Sequence, residues 1–191
     1  MKNSSASRQR RSIRLKTYDY SQSGWYFITI CTQNHRCLFG KIIEDEMHLN
    51  SAGYMLQKEW MELPLRFNTI QLHEYIVMPN HFHGIIEIVG APLVGARPET
   101  SILTSDKVKY GEGQPQGIAP TIGNIVGRFK SITTNQYIRG VKDQQWQAFI
   151  GKLWQRNYYE HIIRNEPAYL NIADYIQTNP QKWQQDIYYV G

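Results

Sequence analysis

The stretch Trp25-Tyr26-Phe27-Ile28-Thr29-Ile30-Cys31-Thr32 constrains the fold more than any other part of the chain. Aromatic and β-branched residues fill both alternating sets of positions, so a strand built from them has no polar face to turn to water. Such a strand must lie inside a sheet with cover on both faces, and the rest of the chain has to supply its neighbours. With 191 residues, 41% of them hydrophobic, the chain can form one core and is short for two. We therefore expect a single domain over 21–191, preceded by a basic arm over 1–20.

The neighbours can be read in order. Cys37 to Ile43 and Met47 to Leu49 flank the acidic turn Glu44-Asp45-Glu46, as in a hairpin. Asn50 or Ser51 can cap a helix in which Tyr54, Met55, Trp60, Met61 and Leu63 recur at helical spacing, ending at Pro64. Leu72 to Met78 and Phe82 to Val89 are two strands joined by Pro79-Asn80, an antiparallel pair. Residues 90–120 turn to Gly, Pro, Ser and Thr without a periodic pattern and read as a flexible insertion or a binding loop. Ile122 to Tyr137 is an amphipathic helix, Leu153 to Ile163 a strand, and Pro167 opens a last helix that runs to Thr178 and stops at Pro180. The expected fold is α+β, a ferredoxin-like split β-α-β-β-α-β sheet with an added N-terminal hairpin and a C-terminal helix.

Charge and cysteine usage narrow the function class. The formal net charge of +5 is unevenly placed: Lys2, Arg8, Arg10, Arg11, Arg14 and Lys16 all precede the first acid, Asp19. An arm of that kind either meets phosphates or is a solvated tail. Cys31 and Cys37 are too few to staple a domain of this size and form no C-x-x-C pair, which favours a reducing cytoplasm. The sequence contains no apolar run of membrane-spanning length, so a secreted or membrane protein is not expected.

The candidate chemistry sits at the Pro79-Asn80 joint. His81-Phe82-His83 opens a strand, where alternation sends both imidazoles to one face and Phe82 to the core. Two imidazoles on one face can share a metal ion, and are equally compatible with two polar residues at a strand end. On the last helix Tyr175 and Asn179 are four residues apart and so lie one turn apart on one face. There the Asn179 amide oxygen can ligate a hard cation beside a phenol, or Asn179 can simply end the helix before Pro180 while Tyr175 packs. A zinc hydrolase using His81, His83 and a third ligand such as His161 or Glu87 is a further reading, weakened because Glu87 lies about 13 Å along the strand from His83.

Taken together, Tyr75-Ile76-Val77-Met78-Pro79-Asn80-His81-Phe82-His83, Leu153-Trp154-Gln155-Arg156-Asn157-Tyr158-Tyr159-Glu160-His161 and Asp174-Tyr175-Ile176-x-x-Asn179-Pro180 resemble the HUH single-tyrosine transposases. More narrowly they resemble the REP-associated tyrosine transposases, of the IS200-like group. The resemblance spans about Trp25 to Trp183, and His81-Phe82-His83 matches the histidine-hydrophobic-histidine motif position for position. It implies that His81, His83 and Asn179 ligate a divalent Mg or Mn ion and that Tyr175, on a catalytic helix, is the nucleophile. The implied activity is metal-dependent cleavage and rejoining of single-stranded DNA with palindromic hairpins through a 5′-phosphotyrosine, as in DNA transposition. An inactive hairpin-binding relative is the alternative. Arg8, Arg10, Arg11, Arg14, Lys16, Arg128, Lys130 and Arg156 are the candidate phosphate contacts, with Trp25, Tyr158 or Trp183 as stacking platforms. The protein would be cytoplasmic and nucleoid-associated, with no membrane partner, as a monomer or homodimer.

Overall fold

The computed structural model describes residues 22–89 and 120–190. The basic arm through Lys16 and nearly all of the 90–120 segment lie outside these residues. Strand β1 (Gly24–Cys31) is inner, as its composition requires, between β5 (His81–Ile88) and β6 (Tyr159–Ile163). With β4 (Ile70–Val77) the order is β4-β5-β1-β6, every pairing antiparallel. This is the split β-α-β-β-α-β arrangement, in which β1 and β5 separate the strands that follow each helix. The hairpin β2 (Gly40–Ile43) and β3 (Glu46–Leu49) forms a separate two-stranded sheet in the connection from β1 to the first helix. Its turn residues Glu44 and Asp45 have φ of 50° and 62°, the left-handed pair that a two-residue hairpin loop demands.

Each long helix has a side-chain cap at its start. Asn50 accepts from Gly53 N at 2.9 Å to begin α1 (Ser51–Met61), which a short α2 (Leu63–Arg66) follows. Thr121 accepts from Asn124 N to begin α3 (Ile122–Asp143), and Asn165 accepts from Ala168 N to begin α4 (Glu166–Thr178). The main core, with Tyr26, Ile28, Ile30, Phe82 and Ile86 from the sheet, packs against α1 and α3 through Leu56, Trp60, Ile125 and Phe129. A smaller cluster on the opposite face, Phe27, Ile85 and Ile163, packs against Ile176 of α4. Alternation along β1 and β5 thus feeds one core with even-numbered residues and leaves the odd-numbered ones, His81 and His83 among them, under α4.

Three expectations need correction. Tyr54 and Met61 are 61% and 60% exposed; the buried face of α1 is Ala52, Gly53, Leu56, Glu59 and Trp60. The buried Glu59 hides that stripe from a hydrophobicity pattern, and it is tolerated because Arg66 lies 3.3 Å from its carboxylate. The strand expected from Leu153 begins only at Tyr159, and Trp154 makes one isolated bridge to Thr32. The segment between them instead hangs on Lys130, whose ammonium donates to the carbonyls of Gln155 and Arg156 at 2.6 and 3.1 Å. Helix α3 also continues past Tyr137 to Asp143.

Gly84, in the middle of β5, has a packing reason. A Cβ there would come within 2.6 Å of the Trp60 ring, which lies against Phe82 at a centroid distance of 4.5 Å. Gly84→Ala is therefore expected to overpack the core and cost about 1–3 kcal/mol, read as a lower urea midpoint at unchanged m-value.

Candidate metal and nucleophile site

Strand β5 presents His81 and His83 on the α4 face, 0% and 1% exposed, with their Nε2 atoms 3.0 Å apart. Each ring is held from behind: His81 Nδ1 lies 2.8 Å from Asn80 Oδ1, and His83 Nδ1 lies 2.8 Å from Thr29 Oγ1. Burial lowers both histidines, His81 well below the usual range with the neighbouring His83 and His35 adding to it, and His83 to about 3. Both are neutral at physiological pH, so each ring carries one N–H and one nitrogen with a free lone pair. The 3.9 Å approach of Asp186 to His81 Nε2 is accordingly no ion pair.

Helix α4 lays Tyr175 across the pair. Its hydroxyl is 3.3 Å from His83 Nε2, and its ring packs edge-on against Phe27 at 6.2 Å. The residue is 37% exposed, so its hydroxyl joins a buried site to an accessible surface. Burial raises the phenol's pKa, the Asp186 carboxylate adds to the rise, and a hydrogen bond from Asn179 opposes it. Asn179 is 1% exposed; its Nδ2 donates to Asp186 Oδ2 at 3.2 Å, while its Oδ1 is buried without a partner among the described residues. An orphaned amide oxygen in such a place is costly unless something occupies its lone pairs.

Asp186 is the residue the sequence reading missed. It follows the 3-10 turn Pro180–Gln185, which folds back so that the Asp186 side chain is 3% exposed. His81, His83 and Asp186 each offer a ligand atom within 4.8 Å of the others, and among the described residues no other trio of histidine, cysteine or acidic groups does so. The available signal was modest: Asp186 is the sole acid after Asp174. Two neutral imidazoles, a carboxylate and an unpartnered amide oxygen are a donor set that fits a divalent cation. Tyr188 was also missed. Its ring lies 4.8 Å from His81, but its hydroxyl is hydrogen-bonded to the Cys31 thiol, which burial raises to about 11.

The remaining candidates lie elsewhere. Tyr158 donates to Glu160 at 2.7 Å and packs on the main core, whereas Tyr159 is 48% exposed at the β6 edge. Glu87 pairs with His73 at 2.9 Å, and His161 is exposed, so neither joins the histidine pair. Arg128 and Arg156 are exposed, on α3 and in the loop before β6, whereas burial lowers the Lys130 ammonium to about 8. Lys130 and Arg156 line one cleft with Tyr158 and the Gly123 and Gly127 face of α3. Trp183 is buried beside His81, and Trp25 packs on Tyr169 at 5.1 Å, so both contribute packing.

The fold is similar to the solved structure of a REP-associated tyrosine transposase bound to a REP hairpin, at a TM-score of 0.53 and 19% identity, covering 89% of this chain and 74% of that one. No family model matches the chain. The chain belongs to one family with an uncharacterized protein of Haemophilus influenzae, 43% identical over 181 residues, which are 95% of this chain and 93% of that protein.

Proposed function

We propose that the protein is a metal-dependent transposase that cuts and rejoins single-stranded DNA carrying palindromic hairpins, with Tyr175 as the nucleophile. The observation that carries the reading is the Tyr175 hydroxyl 3.3 Å from His83 Nε2, where two buried imidazoles and Asp186 converge. His81, His83 and Asn179, with Asp186, would hold Mg(II) or Mn(II), and the ion when bound would neutralise charge on the scissile phosphate. Tyr175 then attacks phosphorus: the Tyr175 Oη–P bond forms, the P–O3′ bond breaks, and the phenolic proton is balanced by the proton taken up on the released 3′-hydroxyl. The 5′-phosphotyrosine keeps the energy of the broken phosphodiester, so a second 3′-hydroxyl can be joined without ATP. Burial raises the Tyr175 phenol further above neutrality, so it is protonated in the resting protein.

DNA contact is assigned to Arg8, Arg10, Arg11, Arg14 and Lys16 of the arm and to Arg128, Lys130 and Arg156. The hairpin in the related fold supports a hairpin partner, and among the described residues no helix is long and apolar enough to cross a membrane. The reading implies a cytoplasmic, nucleoid-associated protein. Deleting the arm through Lys16 should weaken binding and reduce the slope of log affinity against log salt by about 0.7 for every phosphate that the arm neutralises. An unchanged slope would leave the arm a passive tail. The activity itself is tested by incubating the protein with labelled single-stranded palindromic DNA and Mn(II) or Mg(II). A denaturation-resistant protein-DNA adduct is expected; binding without any adduct would leave a hairpin-binding protein that does not cut.

A further inference from the structure

We infer that Asn80 and Thr29 are positioning residues that determine which nitrogen each histidine turns toward a cation, and that they do so differently. The inference rests on the metal-dependent reading above. Asn80 is 0% exposed and fully engaged: its Nδ2 donates to the carbonyls of His35 at 3.1 Å and Tyr188 at 2.7 Å. Two carbonyls can be met only by the amide nitrogen, so the oxygen is the atom that faces His81 Nδ1 at 2.8 Å. An amide oxygen only accepts. His81 must therefore carry its proton on Nδ1, and its Nε2 is a bare lone pair directed into the site.

Thr29, 3% exposed, gives His83 a different partner. A hydroxyl both donates and accepts and can rotate, whereas the Asn80 amide is locked by its two carbonyls. Two bare lone pairs 3.0 Å apart would repel, so without a cation His83 keeps its proton on Nε2 and donates to His81 Nε2, while the Thr29 hydroxyl donates to His83 Nδ1. Were a cation held by the pair, the His83 proton would reside on Nδ1, and that N–H would donate to the Thr29 hydroxyl. The ring's net charge is unchanged; only the position of its proton differs. His81 is thus a permanently oriented ligand and His83 a convertible one, so the pair is satisfied with or without the ion. The paired histidine motif alone did not reveal this, because Asn80 reads as a turn residue and Thr29 as one more β-branched residue of a buried strand.

The test uses full-length protein with 15N-labelled histidine, observed by long-range 15N–1H correlation without metal and with Mg(II). His81 is expected as the Nδ1–H form in both states, and His83 as Nε2–H without the ion and Nδ1–H with it. Thr29→Val, which keeps the shape and removes the hydroxyl, should weaken Mn(II) binding about 10- to 100-fold by electron paramagnetic resonance titration, and Thr29→Ser should restore most of it. A proton on His81 Nε2 in the metal-free protein overturns the assignment even if DNA is cleaved. Thr29→Val binding Mn(II) as tightly as the wild type overturns it too. A wild-type protein that binds no Mn(II) overturns both this assignment and the nuclease reading.

Discussion

Tyr175→Phe is expected to abolish DNA cleavage and the covalent adduct together, by on the order of 10⁴-fold or more, the scale on which removal of a covalent nucleophile acts. The substitution deletes one oxygen and keeps the ring that packs edge-on against Phe27, so folding and hairpin binding should be retained. Three tyrosines serve as controls. Tyr158→Phe and Tyr159→Phe should retain the adduct, because the first hydroxyl is bound to Glu160 and the second residue sits at the sheet edge. Tyr188→Phe is the sharper control. Tyr188 lies as close to the histidines as Tyr175 does, with its ring 4.8 Å from His81, but its hydroxyl is turned to the Cys31 thiol. An adduct that survives in Tyr175→Phe and disappears in any of these three would move the nucleophile.

His81→Ala and His83→Ala should each lower cleavage by more than about 100-fold, beyond what loss of an outer partner of a metal ligand costs. Hairpin affinity should change little, since the interactions that hold nucleic acid are mostly to the backbone and lie away from the scissile phosphate. Gel-shift titration and single-turnover cleavage on the same preparation separate the two effects. Equal loss of binding and cleavage would instead mean that the pair holds the fold together. That outcome has a physical route: both rings are buried, and Asn80 Oδ1 would lose its partner in His81→Ala, as Thr29 Oγ1 would in His83→Ala.

Those two predictions rest on residues that periodicity groups together and that the family resemblance singles out. Alternation places His81 and His83 on one face of a strand, and helical spacing stacks Tyr175 over Asn179. The order of strands and helices gave the split sheet, and the aromatic run through Cys31 gave its inner strand. What periodicity could not find belongs to irregular backbone. Asp186 and Tyr188 lie beyond the 3-10 turn Pro180–Gln185, in a bend and the turn after it, where no repeat links position to direction. Asn80 was read only as half of a turn, yet it fastens three segments of chain by side-chain hydrogen bonds. The short β6 has the same origin. Lys130 draws the 155–157 backbone to α3 with its ammonium, and a bond between a helix side chain and remote carbonyls leaves no local pattern. On α1, the paired Glu59 interrupted the apolar stripe and drew the reading toward the exposed Tyr54 and Met61.

The central claim is that one tyrosine becomes covalently joined to DNA. It is tested most directly by trapping the wild-type protein on single-stranded palindromic DNA with Mn(II), digesting both components and locating the nucleotide-bearing peptide by mass spectrometry. The account predicts a phosphodiester-linked nucleotide on Tyr175, within the peptide that contains Asp174-Tyr175-Ile176, and none on Tyr158, Tyr159 or Tyr188. A nucleotide on any other residue, or efficient cleavage that leaves no modified peptide, would contradict it.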